Sequence, residues 1–390
     1  MSIAARQTAI SCPGHTRPVV DLSGSIISTL SEVTSAQILL QIRGILLIRP
    51  ITMSIAARQT AISCPGHTRP VVDLSFSEIT LEHGYFMISA CKDGQPMLRQ
   101  GETGDWIGTF SGHKGAVWGA ALNREAKLAA TAAADFSAKV WDAVSGEALH
   151  DFSHKHIVKS VDFSSDSCKL LTASNEKLLR IFDLNAPEAD PVVFSGHEDN
   201  IKHARFLPDG RSIVSCSDDK TLRIWDIASN SEVRKIPLSS SNSSLDLVSD
   251  GSTLVVTHGK NISFYSADRF EEIKKYSTET AMYSASLSPD KKTFVSGGED
   301  FKIYRFSYED GKEEASYKGH FGPVHCVRFS PDGEMYASGS EDGTLRLWQT
   351  NIGKTYGLWK WIDDSEAEGV PVCNVANEAM SPPTVVKAES

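Results

Sequence analysis

The stretch Gly319–Gln349, GHFGPVHCVRFSPDGEMYASGSEDGTLRLWQ, reads as three short antiparallel strands joined by two tight turns. Val324, Val327 and Phe329 carry apolar side chains along a first strand that follows the Gly319-His320 loop. Ser330-Pro331-Asp332-Gly333 is a turn, because proline presets φ and glycine accepts a positive one. Tyr336 to Ser340 is a second strand of mostly small residues, suited to a crowded inner position. Glu341-Asp342-Gly343-Thr344 makes the next turn, and Leu345-Arg346-Leu347-Trp348 alternates as a third strand. Turns of the first kind recur at Leu207-Pro208-Asp209-Gly210 and Ser288-Pro289-Asp290-Lys291.

Working outward, the same landmarks return at a fixed period. Gly-His pairs stand at Gly66-His67, Gly112-His113, Gly196-His197 and Gly319-His320, and Ser153-His154 fills the same slot. The histidine spacings are 46, 41, 43 and 123, and the last is three times 41, so two more repeats fit between His197 and His320. The Trp348 position gives an independent count. Its earlier occupants are Arg99, Trp141, Phe182, Trp225, Tyr265 and Phe306, at spacings of 42, 41, 43, 40, 41 and 42. Two landmarks agree on seven repeats. A period of 40–45 residues with Gly-His and Trp-Asp signals marks WD40 blades, so the fold class read from the sequence is all-β, a seven-bladed WD40 β-propeller over residues 53–360. Blades two, four and seven carry the fullest set of landmarks. Blade five lacks the Gly-His pair and the turn aspartate, and blade one has Arg99 where tryptophan is usual.

A ring of blades must close, because an open one leaves strand edges unpaired. The segment before the first Gly-His, Arg58–Cys64, is expected to supply the outer strand of blade seven. Residues 1–23 repeat without change at 53–75, including the methionine, so Arg6–Cys12 is an identical competitor. The copy contiguous with blade one has the shorter loop to close and is expected to win. A perfect copy differs from a structural repeat, which drifts at unconstrained positions. Met53 is therefore expected to start the working protein, with 1–52 an anomalous duplication that is not ordered. Residues 361–390, acidic and then small and proline-containing, read as a disordered tail.

Composition narrows the function. The chain has 41% hydrophobic and 23% charged residues, enough apolar material for a large core. Of its net charge of −10, residues 1–52 contribute +2 and 361–390 contribute −5, which leaves −7 on the propeller. A nucleic-acid or membrane-surface binder usually carries a basic excess, so neither is expected. The most apolar run, Ile38–Ile51, is interrupted by Arg43 and Arg49 and is too short to span a bilayer. Seven cysteines without a C-x-x-C pair indicate reduced thiols, with no zinc site and no disulfide framework. No P-loop, G-x-G-x-x-G, H-E-x-x-H or G-x-S-x-G motif is present. No metal and no cofactor are implied.

Triad-like sets such as His320, Ser338 and Asp342, or His113 and Asp135, belong to the scaffold in this reading. Blades bury polar side chains between strands, and each must find a partner or cost a few kcal/mol. An aspartate stands six residues before the tryptophan slot in five blades, as Asp93, Asp135, Asp219, Asp300 and Asp342. A role repeated from blade to blade is architecture, whereas a catalytic triad is a single constellation. The hydrogen-bonded positions are thus His67, Asp93, His113, Asp135, Trp141, His197, Asp219, Trp225, Asp300, His320, Ser338, Asp342 and Trp348. His154 and His156, two apart with Lys155 between them, read as a solvated loop rather than a metal site. No residue is assigned a catalytic role.

Binding on a propeller is expected at its faces and channel. The residue before the turn aspartate and the residue after the first core valine both face the Gly-His end. Lys92, Asp218, Glu299 and Glu341 fill the first slot, and Trp118, Lys159, Lys202 and His325 the second. From these, Lys92, Trp118, Lys159, Lys202, Glu299, His325 and Glu341 form the candidate partner-binding face. Trp118 between Lys92 and Lys159 is either an interface anchor or a side chain packed between blades.

Beyond the repeat, particular stretches resemble one family, the serine/threonine kinase receptor-associated proteins. They are ISACKDGQPMLRQGETGDWIGTF at 88–110, GHKGAVWGAAL at 112–122, TAAADFSAKVWDAVSGE at 131–147, HKHIVKSVDF at 154–163 and SYKGHFGPVHCVRFSPDGEMYASGSEDGTLRLWQTNIGKTYGLWK at 316–360. GETGDWIGTF and GKTYGLWK are not blade landmarks, so the likeness goes beyond the WD40 consensus. The resemblance implies a non-catalytic adaptor of cytoplasm and nucleus, a monomeric propeller within complexes. It implies association with the survival-of-motor-neuron (SMN) complex and its Gemin proteins, which serve small nuclear ribonucleoprotein assembly and mRNA splicing. It also implies negative regulation of TGF-β signalling through the receptor and inhibitory Smad proteins. The duplicated start and the tail after Lys360 depart from the family pattern. The alternative of a ubiquitin-ligase substrate receptor is disfavoured, because Trp141-Asp142-Ala143-Val144 and Trp225-Asp226-Ile227-Ala228 lack the W-D-x-R ending of such propellers.

Overall fold

The computed structural model describes residues 61–80 and 83–351. The duplicated segment 1–52 and the tail 361–390 lie outside the described residues, as do residues 58–60 of the expected closing segment. The described chain forms twenty-eight strands in seven four-stranded antiparallel sheets. Blades one to six run consecutively, with inner strands at Val71–Phe76, Val117–Leu122, Val158–Phe163, Ile201–Phe206, Asn242–Leu247 and Met282–Leu287. Blade seven has its inner strand at Val324–Phe329, followed by Met335–Ser340 and Leu345–Gln349. Its outer strand is Ile62–Cys64, which pairs antiparallel as Ile62 with Leu347, Ser63 with Arg346 and Cys64 with Leu345. Each inner strand packs on the next, and that of blade seven on that of blade one, so the ring is closed.

Apolar side chains bury in seven slabs, one at each blade–blade interface. Between blades two and three, for example, Val140, Phe152, Val158, Phe163 and Phe182 pack together, with the Phe152 and Phe182 rings stacked at 4.2 Å. Between blades seven and one, Cys64, Val71, Leu74 and Met87 meet Cys326, Ala337, Leu345 and Leu347. Second strands are rich in small residues because the neighbouring inner strand comes close. A Cβ on Gly339 would stand 2.6 Å from a Val71 methyl, and one on Gly297 would stand 2.6 Å from a Val324 methyl.

One irregularity recurs in every blade. The register between inner and second strand slips after the first inner residue, between Val71 and Asp73, Val117 and Gly119, Val158 and Ser160, Ile201 and His203, Asn242 and Ser244, Met282 and Ser284, and Val324 and Cys326. The skipped residue is a β-bulge, and a bulge re-aims its side chain. The seven bulge residues are Val72, Trp118, Lys159, Lys202, Ser243, Tyr283 and His325.

Candidate functional site: the Gly-His end of the channel

The buried histidine networks are built alike in blades two, four and seven. In blade two, His113 Nδ1 lies 2.9 Å from Asp135 Oδ2 and His113 Nε2 lies 2.6 Å from Thr131 Oγ1, while Trp141 Nε1 donates to that hydroxyl at 2.8 Å. Blade four repeats this with His197, Asp219, Ser215 and Trp225 at 2.8 Å throughout. In blade seven, His320 meets Asp342 at 3.3 Å and Ser338 at 2.7 Å, and Trp348 donates to Ser338 at 2.8 Å. A member not singled out from the sequence completes each network. Ser137, Thr221 and Thr344 donate to the same aspartates at 2.7, 2.6 and 2.7 Å, and the signal for them is Asp-x-Ser/Thr in the turn.

These sets have the connectivity of a Ser-His-Asp triad but not its access. Thr131, Ser215 and Ser338 have no exposed surface, and the indole N–H already occupies the hydroxyl oxygen. Burial pushes His113 and His197 below the ordinary histidine range and His320 down to about 4, against the pull of the paired aspartates. Burial raises the carboxyls, yet donors such as Lys114 N–H on Asp135 and the Thr221 hydroxyl on Asp219 hold them below their usual range.

The other blades vary the theme. In blade one His67 meets Asp93 at 3.1 Å and Ser89 at 2.8 Å, but Arg99 replaces the tryptophan. The Arg99 guanidinium is buried and donates to the carbonyls of Pro65 and Gly104, beside the closing strand. In blade three Glu176 stands in the aspartate slot and takes Lys155 N–H and Arg180, and His154 meets the Phe152 carbonyl and Thr172. Asp300 of blade six meets no histidine; its partner is the Tyr304 hydroxyl.

His67, Cys91 and Asp93 present three potential metal ligands within 4.8 Å of one another. Each is already engaged. Cys91 Sγ donates to the Arg69 carbonyl at 3.0 Å, as Ser217 and Ser340 donate to Asp199 and Gly322 at 3.0 Å. Cys91 is thus the blade-one form of a repeated serine, and the trio is scaffold. The five described cysteines are free thiols.

The bulge residues and the turn residues before each aspartate meet at the Gly-His end in one chain of contacts. Tyr283 stacks on His325 at 5.9 Å, and His325 pairs with Glu341 at 2.5 Å. Glu341 pairs with Lys92 at 3.5 Å, and Lys92 lies 5.5 Å from the Trp118 ring. Lys159 Nζ sits over the same ring, 3.1 Å from its centre. Beside it Lys202 pairs with Asp218 at 2.8 Å and bonds Ser241 at 3.2 Å. Glu299 is exposed on the equivalent turn of blade six and makes no ion pair among the described residues. Tyr283 escaped the sequence reading because Met282 stands where most blades have valine or isoleucine, and Ser241 because it precedes the first inner residue, Asn242, and lies in neither slot. The spacing of 42 from Tyr283 to His325 is the signal that locates the former.

The opposite mouth is a cavity of about 480 Å³ lined by the Ser-Pro-Asp-Gly turns and by Asp162, Arg205, Asp246 and Arg328. These charges are spent on one another. Arg205 pairs with Asp162 at 3.0 Å, and Arg328 lies 3.4 Å from Asp246 and 3.8 Å from Asp73 while donating to Ser284 at 2.9 Å. Arg328 of blade seven so ties blades one, five and six across the channel.

The WD domain, G-beta repeat family matches residues 104–142, 146–183, 191–226 and 311–349, on blades two, three, four and seven. The serine-threonine kinase receptor-associated protein of Gallus gallus is 62% identical over 80% of this chain and 88% of its own. That of Homo sapiens is 60% identical over 80% of this chain and 89% of its own. A more distant likeness, 26% identical over 76% of this chain, is to eukaryotic translation initiation factor 3 subunit I of Caenorhabditis elegans.

Proposed function

The chain belongs to the serine-threonine kinase receptor-associated protein family of WD40 propellers, and from that premise we propose that it is a non-catalytic adaptor serving the SMN complex in assembly of spliceosomal small nuclear ribonucleoproteins. The observation that carries the non-catalytic part is the burial of every triad-like hydroxyl under an indole donor in blades two, four and seven. What remains accessible is the mixed-charge mouth around Trp118, whose make-up suits protein recognition: an aromatic anchor with charged groups around it. The partners in this reading are SMN and Gemin proteins. The same binding capacity serves TGF-β signalling as a negative regulator, through the receptor and inhibitory Smad proteins, and the name of the relatives, serine-threonine kinase receptor-associated protein, supports receptor association. The adaptor works in cytoplasm and nucleus.

Affinity capture of the chain from cell extract tests this. Recovery of Gemin proteins at amounts comparable to the chain is expected. Their absence, with the propeller folded, removes the ribonucleoprotein role.

A further inference from the structure

We propose that the Gly-His mouth of the channel recognises an acidic peptide segment, holding one of its carboxylates between the Lys159 ammonium and the Trp118 indole N–H. This deepens the adaptor reading and rests on it, by naming the chemistry of the partner.

Three observations carry the proposal. Lys92 and Lys202 are each matched by a carboxylate, Glu341 and Asp218. Lys159 has none among the described residues, and the face of Trp118 is its only neighbour of opposite polarity in contact. A half-buried ammonium without a counter-ion gains from an arriving carboxylate, and a charge-assisted hydrogen bond there is stronger than a neutral one. Burial accordingly pushes Lys159 down to about 8, with repulsion from Lys202 and Lys92 opposed by Asp218.

The second observation is the Trp118 indole N–H, which is buried and has no acceptor. An unsatisfied buried donor costs about 1–3 kcal/mol. Trp141, Trp225 and Trp348 all place theirs on a hydroxyl at 2.8 Å. Trp118 is the exception, and it is the one among these four that stands on a bulge at the channel mouth. Binding there includes a shift that uncovers the buried indole N–H to the incoming oxygen, a shift the flexible Lys159 stem can follow.

Third, charge complementarity selects the occupant. The propeller is acidic overall, and this mouth sets Lys92, Lys159 and Lys202 against Asp218, Glu341 and, on the blade-six turn, the exposed Glu299. Local matching, not net charge, singles out Lys159: Glu299 is on blade six and Lys159 on blade three, and no ion pair joins them. A phosphate ladder asks for several free cations in a row, and among the described residues at the bulge and turn positions of this mouth Lys159 is the one lysine without a carboxylate partner, so an acidic protein segment fits better than RNA.

The test uses the full chain and fluorescence anisotropy of two labelled octapeptides, one alternating Asp with Gly and the other Asn with Gly. The expected result is about tenfold tighter binding of the Asp peptide, the size of one well-placed charge-assisted contact. Lys159→Met keeps the stem and Trp118→Phe keeps an aromatic ring, and each is expected to erase most of that preference with the thermal midpoint unchanged. Arg124→Ala, at the opposite mouth, is expected to preserve it. Equal binding of the two peptides overturns the proposal, as does a preference that survives both substitutions. Competition by an oligouridine octamer as effective as the Asp peptide itself overturns it in favour of a phosphate site. The assay needs no cellular partner: loss of Gemin recovery with the preference intact strikes the adaptor reading alone, and loss of the preference with recovery intact strikes this inference alone.

Discussion

His113 gives a proton to Asp135 on one side and takes one from Thr131 on the other, and Trp141 completes the line by donating to Thr131. Every donor has one acceptor when the imidazole is neutral. Protonating Nε2 would set two donors against each other, which is why burial and connectivity both hold these histidines neutral. The consequence for stability has a definite sign. The folded values lie below the ordinary one of about 6.5, with His154 and His320 near 4. The unfolded chain therefore binds more protons than the native one as pH falls from about 6.5 toward 4, and stability is lost across that window. The depressed carboxyls of Asp93, Asp135 and Asp342 add a further loss at lower pH, as they protonate. The urea midpoint is expected to fall steadily between pH 7 and pH 4.5; a constant midpoint would show that the histidines are not held neutral. Substitution speaks to the same network. Asp135→Ala strips acceptors from His113, Lys114 N–H and Ser137, and a cost of about 2–3 kcal/mol is expected from chemical unfolding.

At the scale of strands and turns, two local rules set what each position tolerates. The turn after the second strand takes a positive φ in every blade, but the residue that adopts it is glycine in only some of them: Gly94, Gly259 and Gly343 are, whereas Phe136, Lys177, Lys220 and Phe301 adopt φ of 68°, 65°, 61° and 69°. A side chain there strains the backbone by about 1–2 kcal/mol. Lys220 is exposed, so Lys220→Gly is expected to raise stability by about 0.5–1 kcal/mol once the extra freedom of the unfolded chain is offset. A lowered thermal midpoint would contradict this. The second rule is close approach. Gly339→Val drives a branched side chain into Val71 and Cys326, and a loss of about 3 kcal/mol or a failure to fold is expected, since overpacking alone costs about 1–3 kcal/mol.

The same scale explains what was legible. Packing residues recur because each blade must fill the same slab, so the seven-fold period, the order of strands and the histidine-aspartate pairs could all be read from spacing. The bulges could not, because a register slip leaves no residue signature of its own. Asn242 and Met282 hid the contributions of blades five and six to the channel mouth. Arg99 was visible as a departure, but its grip on the Pro65 and Gly104 carbonyls depends on chain segments brought together only by closure.

The whole molecule depends on three residue pairs. Ile62–Cys64 covers the edge of Leu345–Gln349, and Cys64 and Leu347 share one apolar slab with Val71. A chain lacking residues 1–65 is expected to expose that edge and associate with itself; light scattering checks this, and a monomeric, equally stable truncation would show that closure lies elsewhere. Closure also fixes the site, because the contacts at the Gly-His mouth run from blade six through blade seven to blades one, two and three. The adaptor account makes that mouth the place where partners are held. Its most direct test is quantitative recovery of Gemin proteins from cell extract by three folded baits: the unaltered chain, Lys159→Met at the Gly-His mouth, and Arg124→Ala at the other. The account predicts equal recovery by the first and third and a several-fold loss by the second. Equal recovery by all three, or none by the unaltered chain, would contradict it.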